Sequence, residues 1–298
     1  MMKFDLVITN PPFQDSTKRG KTPHKLWIDF TKVAFEKLLV NGGYLHQVSP
    51  SSFQSPSNKV LGLFKTFRTI YIDLRTSQYF PEIGSSFSHY LVQNVKDLEE
   101  FTLIDTKDGQ MNVNLDSKVF YLPSDLSKHS LSVHKKVIFH SEDKLDVRFD
   151  YVTCHNIRIK TDKSMSTTKS TNHPHAVFHT NKQIWYSSNK QDFADKLKVM
   201  WTRSGYSKPF FDAGTMGGTD LVYYVLVGSK TDGVILERQL NSLLIRYILK
   251  TAKWSGFGND KVFTALPAIP KEFQDDSQIF DFFKLTKAEV SYVKDFMG

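Results

Sequence analysis

Over residues 3–98 short apolar runs alternate with amphipathic ones. Phe4–Ile8 is apolar and stops at Asn10-Pro11-Pro12, where the prolines lack the N–H that an interior strand donates, so a strand ends there and a loop begins. Leu26, Trp27, Phe30, Val33, Ala34, Lys37 and Leu38 then fall at i, i+3, i+4 spacing, which predicts an amphipathic helix closed by Asn41-Gly42-Gly43. Tyr44–Val48 reads as a second buried strand ending at Ser49-Pro50. A helix over Lys59–Phe67, a strand over Thr69–Leu74, a loop containing Pro81 and Gly84, and a strand over Phe87–Asn94 complete the series. This order predicts a parallel sheet with right-handed crossovers.

After about residue 100 the pattern changes. Short β-branched and aromatic runs (Phe101–Ile104, Val119–Leu122, Val147–Val152, Ile157–Lys160, Ala176–His179, Leu221–Val227) lie between polar turns and predict a mostly β region, interrupted by a helix over Asp192–Trp201. Leu240, Leu243, Leu244, Tyr247 and Ile248 form a helical stripe within Glu237–Lys253. A second C-terminal helix is predicted over Asp281–Phe296, with a capping box from Thr286 to Glu289. The expected fold class is α/β: a partial Rossmann-like sheet over 1–100, a mostly β (α+β) region over 101–236, and C-terminal helices over 237–298.

Composition narrows the function classes. With 298 residues, 40% hydrophobic and 23% charged, the chain can bury a sizeable core and is not a mainly disordered sequence. Its longest strongly apolar run, Leu221–Val227, is far short of the roughly 20 residues that cross a bilayer, and the N-terminus carries no secretory apolar region. The expectation is a soluble, intracellular, cytoplasmic protein with no membrane partner. Cys154, the only cysteine, excludes an internal disulfide and a multi-cysteine metal site. The 39 Lys+Arg against 31 Asp+Glu leave a charge of +8, which suits a polyanion such as nucleic acid and equally suits simple solubility.

Asn10-Pro11-Pro12-Phe13 is the most informative stretch. It follows an apolar strand, and an α/β sheet places its ligand crevice at the carboxyl ends of its strands. An exocyclic base nitrogen is a poor nucleophile because its lone pair is delocalised into the ring. A catalyst should therefore accept hydrogen bonds from the amino group and favour its tetrahedral form. Asn10 supplies a side-chain carbonyl, and Pro12 holds Pro11 extended and sets the direction of the Pro11 carbonyl, a second acceptor. Phe13 offers a flat face for a base drawn out of the duplex. An ordinary turn is the competing reading of the tetrapeptide alone.

These residues resemble the S-adenosylmethionine-dependent adenine-N6 DNA methyltransferases, in particular the methylase parts of type IIG restriction-modification enzymes. The resemblance extends to Leu26-Trp27 and Phe30, to Gly42-Gly43, to Pro50-Ser51-Ser52-Phe53 and to Ser85-Ser86-Phe87-Ser88-His89. It also includes Leu266-Pro267-Ala268-Ile269-Pro270 with Phe282-Phe283-Lys284-Leu285-Thr286 and Glu289. It covers residues 3–94 and about 237–296. It implies a methyltransferase sheet, S-adenosylmethionine as cofactor, double-stranded DNA as partner, a catalytic segment Asn10–Phe13, and Phe13 and Phe87 packed on the flipped base.

One departure stands at the front. The family carries a strand, a Gly-rich loop and an acidic residue before the signature strand, and here three residues precede Phe4, so the cofactor site is expected to be incomplete. A permuted site would have to use Phe211–Thr219, whose Gly214, Gly217 and Gly218 are followed by strand-like residues and not by a helix, so a β connection is the competing reading. Gly256-Phe257-Gly258 follows a helix and fits less well. The open sheet edge is then expected to be occupied by a partner chain supplying the cofactor half, by a second copy, or by a rearranged segment such as the loop between Gln14 and Lys25.

The middle region concentrates Arg158, Lys160, Lys163, Lys169 and Lys182 against the single acid Asp162, among polar residues suited to phosphate and base-edge contacts; a solvated loop has the same composition. His173, His175 and His179 lack a nearby carboxylate or thiol set for a metal, and no metal is expected. Trp185, Trp201 and Trp254 read as packing residues. Two functions remain: an adenine-N6 DNA methyltransferase, whole or as the catalytic and recognition half of a split enzyme, and a non-catalytic DNA-binding or partner-binding module derived from one.

Overall fold

A computed structural model describes residues 2–14, 25–56, 58–82, 86–96, 101–180, 183–203, 208–254 and 260–298. Lys182, Gly84, Ser85, Gly256-Phe257-Gly258 and most of the Gln14–Lys25 loop, all singled out above, lie outside the described residues. The chain forms two compact units, residues 1–135 with 252–255, and residues 136–251 with 256–298.

The first unit contains β1 (Phe4–Thr9), α1 (Leu26–Val33), β2 (Leu39–Pro50), α2 (Lys59–Phe64), β3 (Arg68–Asp73), β4 (Phe87–Gln93), β5 (Thr102–Thr106), β6 (Gly109–Val113) and α3 (Lys128–His134). Its strands make one six-stranded sheet in the order β1-β2-β4-β3-β5-β6. Pairing is parallel for β1 with β2 and for β3 with β5, and antiparallel where β4 runs between β2 and β3 and where β6 closes on β5. The expected all-parallel sheet is thus corrected to a mixed one. The cause is the short link from β3 to β4, which among its described residues holds a 3-10 turn at Thr76–Tyr79 and no crossover helix.

One face of the sheet is packed. Leu45, Ile72, Tyr90, Val92 and Ile104 are fully buried there. The α1 residue Thr31 accepts from Gln47 Nε2 at 2.9 Å, and the α2 residue Phe64 meets the Tyr90 ring at 4.7 Å. On the other face Phe4, Leu6, Ile8 and Tyr44 are exposed, Ile8 by 69%. Both helices lie on one side because β1, β2 and β3 advance in one direction across the sheet, and right-handed crossovers then return on the same side.

Asn41-Gly42-Gly43 does not end the first helix as expected. The helix passes at Ala34–Leu38 into a π turn, and the glycines lie inside β2 at a bulge where the β1–β2 register shifts. Gly42 has φ +83°, open only to glycine at low cost, and a Cβ on Gly43 would sit 3.0 Å from the Phe4 carbonyl oxygen. The run Val119–Leu122 is buried but not a strand. Its backbone partners are loop and side-chain groups, with Leu122 N–H donating to the Gln54 carbonyl and Trp254 Nε1 donating to the Leu122 carbonyl.

The second unit holds β7 (Arg148–Phe149), β8 (Met165–Ser166), β9 (His175–Phe178), β10 (Ile184–Ser187), β11 (Leu197–Thr202), β12 (Phe210–Ala213), β13 (Gly217–Gly218) and β14 (Val222–Leu226). Five helices follow: α4 (Lys230–Leu240), α5 (Leu243–Thr251), α6 (Asp260–Phe263), α7 (Asp276–Phe282) and α8 (Lys287–Met297). Two four-stranded sheets, β13-β9-β10-β8 and β12-β11-β14-β7, share a core around Phe178, Phe193, Met200, Val222 and Tyr224. The predicted helix over Asp192–Trp201 is a turn leading into β11. Lys198, within that range, sits opposite Asp212 on β12 and forms a buried ion pair with it at 2.6 Å.

Ile157–Lys160 was expected as a strand, but a 3-10 turn spans Asn156–Ile159. Each of the two long C-terminal helices is broken in two, at Asn241-Ser242 and at Phe283–Thr286. The Thr286 box is present: Thr286 Oγ1 accepts from Glu289 N–H, and Glu289 Oε2 from Thr286 N–H at 2.6 Å. The boundary read at residue 100 falls instead near 135, because β5 and β6 extend the first sheet. The helical region read over 237–298 groups largely with the β region before it.

Candidate active site

Because β1 and β2 are parallel, their carboxyl ends lie side by side, with Thr9 opposite Gln47. The chain leaves β1 through Asn10–Phe13 and leaves β2 through Pro50. Asn10, Pro11, Pro12 and Phe13 join Val48, Phe80 and Phe87 around a cavity of about 270 Å³. The Phe13 and Phe87 rings stand 5.3 Å apart, inclined by 33°, and Phe80 meets Phe87 edge-on at 5.7 Å. The volume lies just below the range usual for drug-sized ligands, so it suits a single heterocycle better than a whole nucleotide cofactor.

Phe87 is buried and held from behind, its N–H donating to Ser77 Oγ at 2.6 Å. Ser51 ties the end of β2 to the start of β4: its N–H donates to the Ser86 carbonyl, and its hydroxyl shares a hydrogen bond with Ser88 at 2.7 Å. Phe53, part of the same motif, is a core residue against Phe64 and Tyr90. Asn10 is exposed, and among the described residues nothing bonds its side chain. An apolar slot with one amide at its mouth can hold a flat ring and accept hydrogen bonds from an edge amino group.

Sequence reasoning placed Asn10–Phe13 and Phe87 here and missed Phe80 and Val48. The available signal for Phe80 was Tyr79-Phe80-Pro81, two consecutive aromatics on a loop, both exposed. Along that other face of the sheet, His46 of β2 and His89 of β4 meet edge-on at 5.3 Å. Burial, and then the charge of His89, lower the His46 pKa, so His46 is held towards its neutral form. Further on, Tyr71 donates to Asp105 at 2.7 Å, and Arg75 pairs with both Asp73 and Asp105.

In the second unit Lys160, Lys163 and Lys169 are exposed, and Arg158 pairs with Asp162. His173 Nε2 is 2.8 Å from the Lys163 carbonyl, and His179 stacks on Trp185 at 3.7 Å. Among the described residues no His, Cys, Asp and Glu cluster has metal-binding spacing.

The Phe211–Thr219 loop does not fit a cofactor cradle. Asp212 is taken by Lys198 and by the N–H groups of Gly214 and Thr215, Gly217-Gly218 pairs with β9 as β13, and β14 follows where a helix would be needed. The β-connection reading describes this segment.

Residues 1–80, which carry Asn10–Phe13, match the family model of the Eco57I restriction-modification methylase. Among solved structures, the chain is similar to the type IIG restriction endonuclease BpuSI (10% identity, TM-score 0.34, covering 94% of this chain and 48% of that one). It is also similar to the type IIL restriction-modification enzyme MmeI in complex with DNA (8% identity, TM-score 0.47, covering 98% and 53%). It spans about half the length of each. No curated protein sequence matches it. Among the described residues no helix is long and apolar enough to cross a membrane.

Proposed function

We propose that this chain is the catalytic and recognition part of an adenine-N6 DNA methyltransferase of the restriction-modification kind, acting on a base flipped from double-stranded DNA. The observation that carries this reading is the amide of Asn10 at the mouth of the slot formed by Phe13, Phe80 and Phe87, on the segment that matches the methylase family. The adenine stacks among the rings. Its amino group donates to Asn10 Oδ1 and to the Pro11 carbonyl, which draws the nitrogen towards the tetrahedral form and frees its lone pair. S-adenosylmethionine supplies the methyl group. Its holder lies beyond the β1 edge, in a second polypeptide or another segment, since strands added there would carry crossover helices over the exposed face of β1 and place a crevice beside Asn10. Lys160, Lys163 and Lys169, with Arg158 and Lys182, contact the phosphates.

Asn10→Ala should lower methyl transfer by two orders of magnitude or more with DNA affinity nearly unchanged, because the amide acts mainly as the amino group changes geometry. The assay is labelled-methyl incorporation into duplex DNA, with the cofactor-binding segment present, and equal rates for the variant and the parent would end the assignment. A second reading, a DNA-binding or partner-binding module without chemistry, is favoured by one observation: the only Gly-rich loop among the described residues is occupied by structural contacts.

A further inference from the structure

An exposed apolar tip of the second unit lies just ahead of its lysines along the chain. Four of the large exposed hydrophobic residues fall within nine positions: Phe149, Tyr151, Val152 and Ile157, with Val152 exposed by 71% and Ile157 by 54%. Single exposed apolar residues are ordinary, but a cluster on a rigid support marks a contact surface. The support here is rigid. Asp150 Oδ1 accepts from the N–H groups of Val152 at 2.8 Å and Thr153 at 3.0 Å, closing a tight turn with Val152 at its crest. The other oxygen of Asp150 accepts from the buried Gln191 at 2.8 Å, which anchors the turn to the unit. These hydrogen bonds hold the Asp150 carboxyl below its usual pKa against the opposing effect of burial. The Phe149 and Tyr151 rings meet at 4.3 Å, inclined by 45°, and Tyr151 is tied to Tyr223 through their hydroxyls at 3.1 Å.

The charges decide what the tip meets. Arg158 Nε donates to the Val152 carbonyl at 3.0 Å, so a guanidinium flanks the crest. Lys160 follows directly on the 3-10 turn that carries Ile157, so a cation lies three residues from this apolar side chain. The nearby acids are engaged internally, Asp150 as described and Asp162 with Arg158 and Ser164. Lys160, Lys163 and Lys169 have no acidic partner among the described residues. Exposed apolar side chains flanked by Arg158 and followed along the chain by exposed lysines complement a nucleic-acid duplex, where phosphates flank stacked bases and an inserted side chain can part a base step.

We infer that Val152 and Ile157 form a wedge that enters the target duplex between base pairs while Lys160, Lys163 and Lys169 hold the adjoining phosphates. This rests on the DNA-directed reading above and adds the non-electrostatic part of recognition to it. The test titrates the full chain with a fluorescein-labelled, mixed-sequence DNA duplex over a series of salt concentrations. The double variant Val152→Ser, Ile157→Ser alters two exposed side chains and should leave the unfolding midpoint unchanged. It should weaken duplex affinity about tenfold at every salt concentration, leaving the slope of log affinity against log salt as in the parent. Charge reversal of Lys160, Lys163 and Lys169 should instead flatten that slope. In duplexes carrying 2-aminopurine at successive positions, the parent should raise fluorescence at one step and the wedge variant at none. Parent-like affinity of the Ser variant would overturn the wedge and assign the tip to a protein contact. Absence of duplex binding by the parent chain would instead overturn the DNA-directed reading itself.

Discussion

At the scale of single residues, Phe87 and Phe80 of the pocket have different work. Phe87 is 6% exposed and packed from behind, whereas Phe80 is 39% exposed and faces the cavity. Phe87→Ala should cost about 3–5 kcal/mol of stability through the cavity it leaves. Phe80→Ala should leave the unfolding midpoint nearly unchanged and remove about 1–3 kcal/mol of base stacking, read as weaker binding of an extruded 2-aminopurine. Equal stability losses for both would mean that Phe80 is a packing residue only. His134 adds a pH dependence. It is fully buried against Tyr121 at 2.6 Å, and burial lowers its pKa from 6.5 to about 3. Between those values the unfolded chain takes up a proton that the folded one refuses. Its contribution is therefore complete above pH 6.5 and is lost as the pH falls from 6.5 towards 3. Urea midpoints of the parent should drop from pH 7 to pH 5, and His134→Gln, whatever its absolute stability, should show a smaller drop.

At the scale of elements, the β1–β2 pairing is what aims Asn10–Phe13, and its weak point is the close approach at Gly43. Gly43→Val must push β1 away from β2, because even a Cβ would lie 3.0 Å from the Phe4 carbonyl and 3.2 Å from that of Asp5. A loss of about 1–3 kcal/mol is expected, with amide exchange accelerated in β1 ahead of β3. Gly62 in α2 is the matched control. Nothing lies within 4 Å of a Cβ there, so Gly62→Ala should be neutral or stabilising by up to about 1 kcal/mol. If both substitutions behave alike, the bulge is not what seats β1.

At the scale of the whole molecule, the edge strand β1 next to the pocket is also exposed on one face. Phe4, Leu6 and Ile8 are exposed on β1, and the one Gly-rich loop among the described residues is structural. The chain by itself should therefore bind S-adenosylmethionine weakly or not at all. Calorimetric titration is expected to show no micromolar binding, and binding should appear when a polypeptide completing the β1 edge is added. Micromolar affinity of the chain alone would contradict this placement of the cofactor.

The sequence by itself determined what depends on neighbours along the chain. Period-2 and i, i+3, i+4 spacing located β1 to β4, α1 and α2, an N–H-free Pro-Pro pair placed the Asn10 loop at a strand end, and the Thr286 box appeared because capping is a four-residue event. Only the tertiary structure decided what depends on residues distant along the chain. The insertion of β4 between β2 and β3 made the sheet mixed. Folding the Thr76–Pro81 loop over the pocket added Phe80, and the Lys198–Asp212 pair turned an expected helix into a strand. The extension by β5 and β6 moved the boundary to about 135. The physical reason is the same in each case: a backbone strand or a buried charge is stable only with its partner, and the partner lies too far along the chain for local spacing to name it.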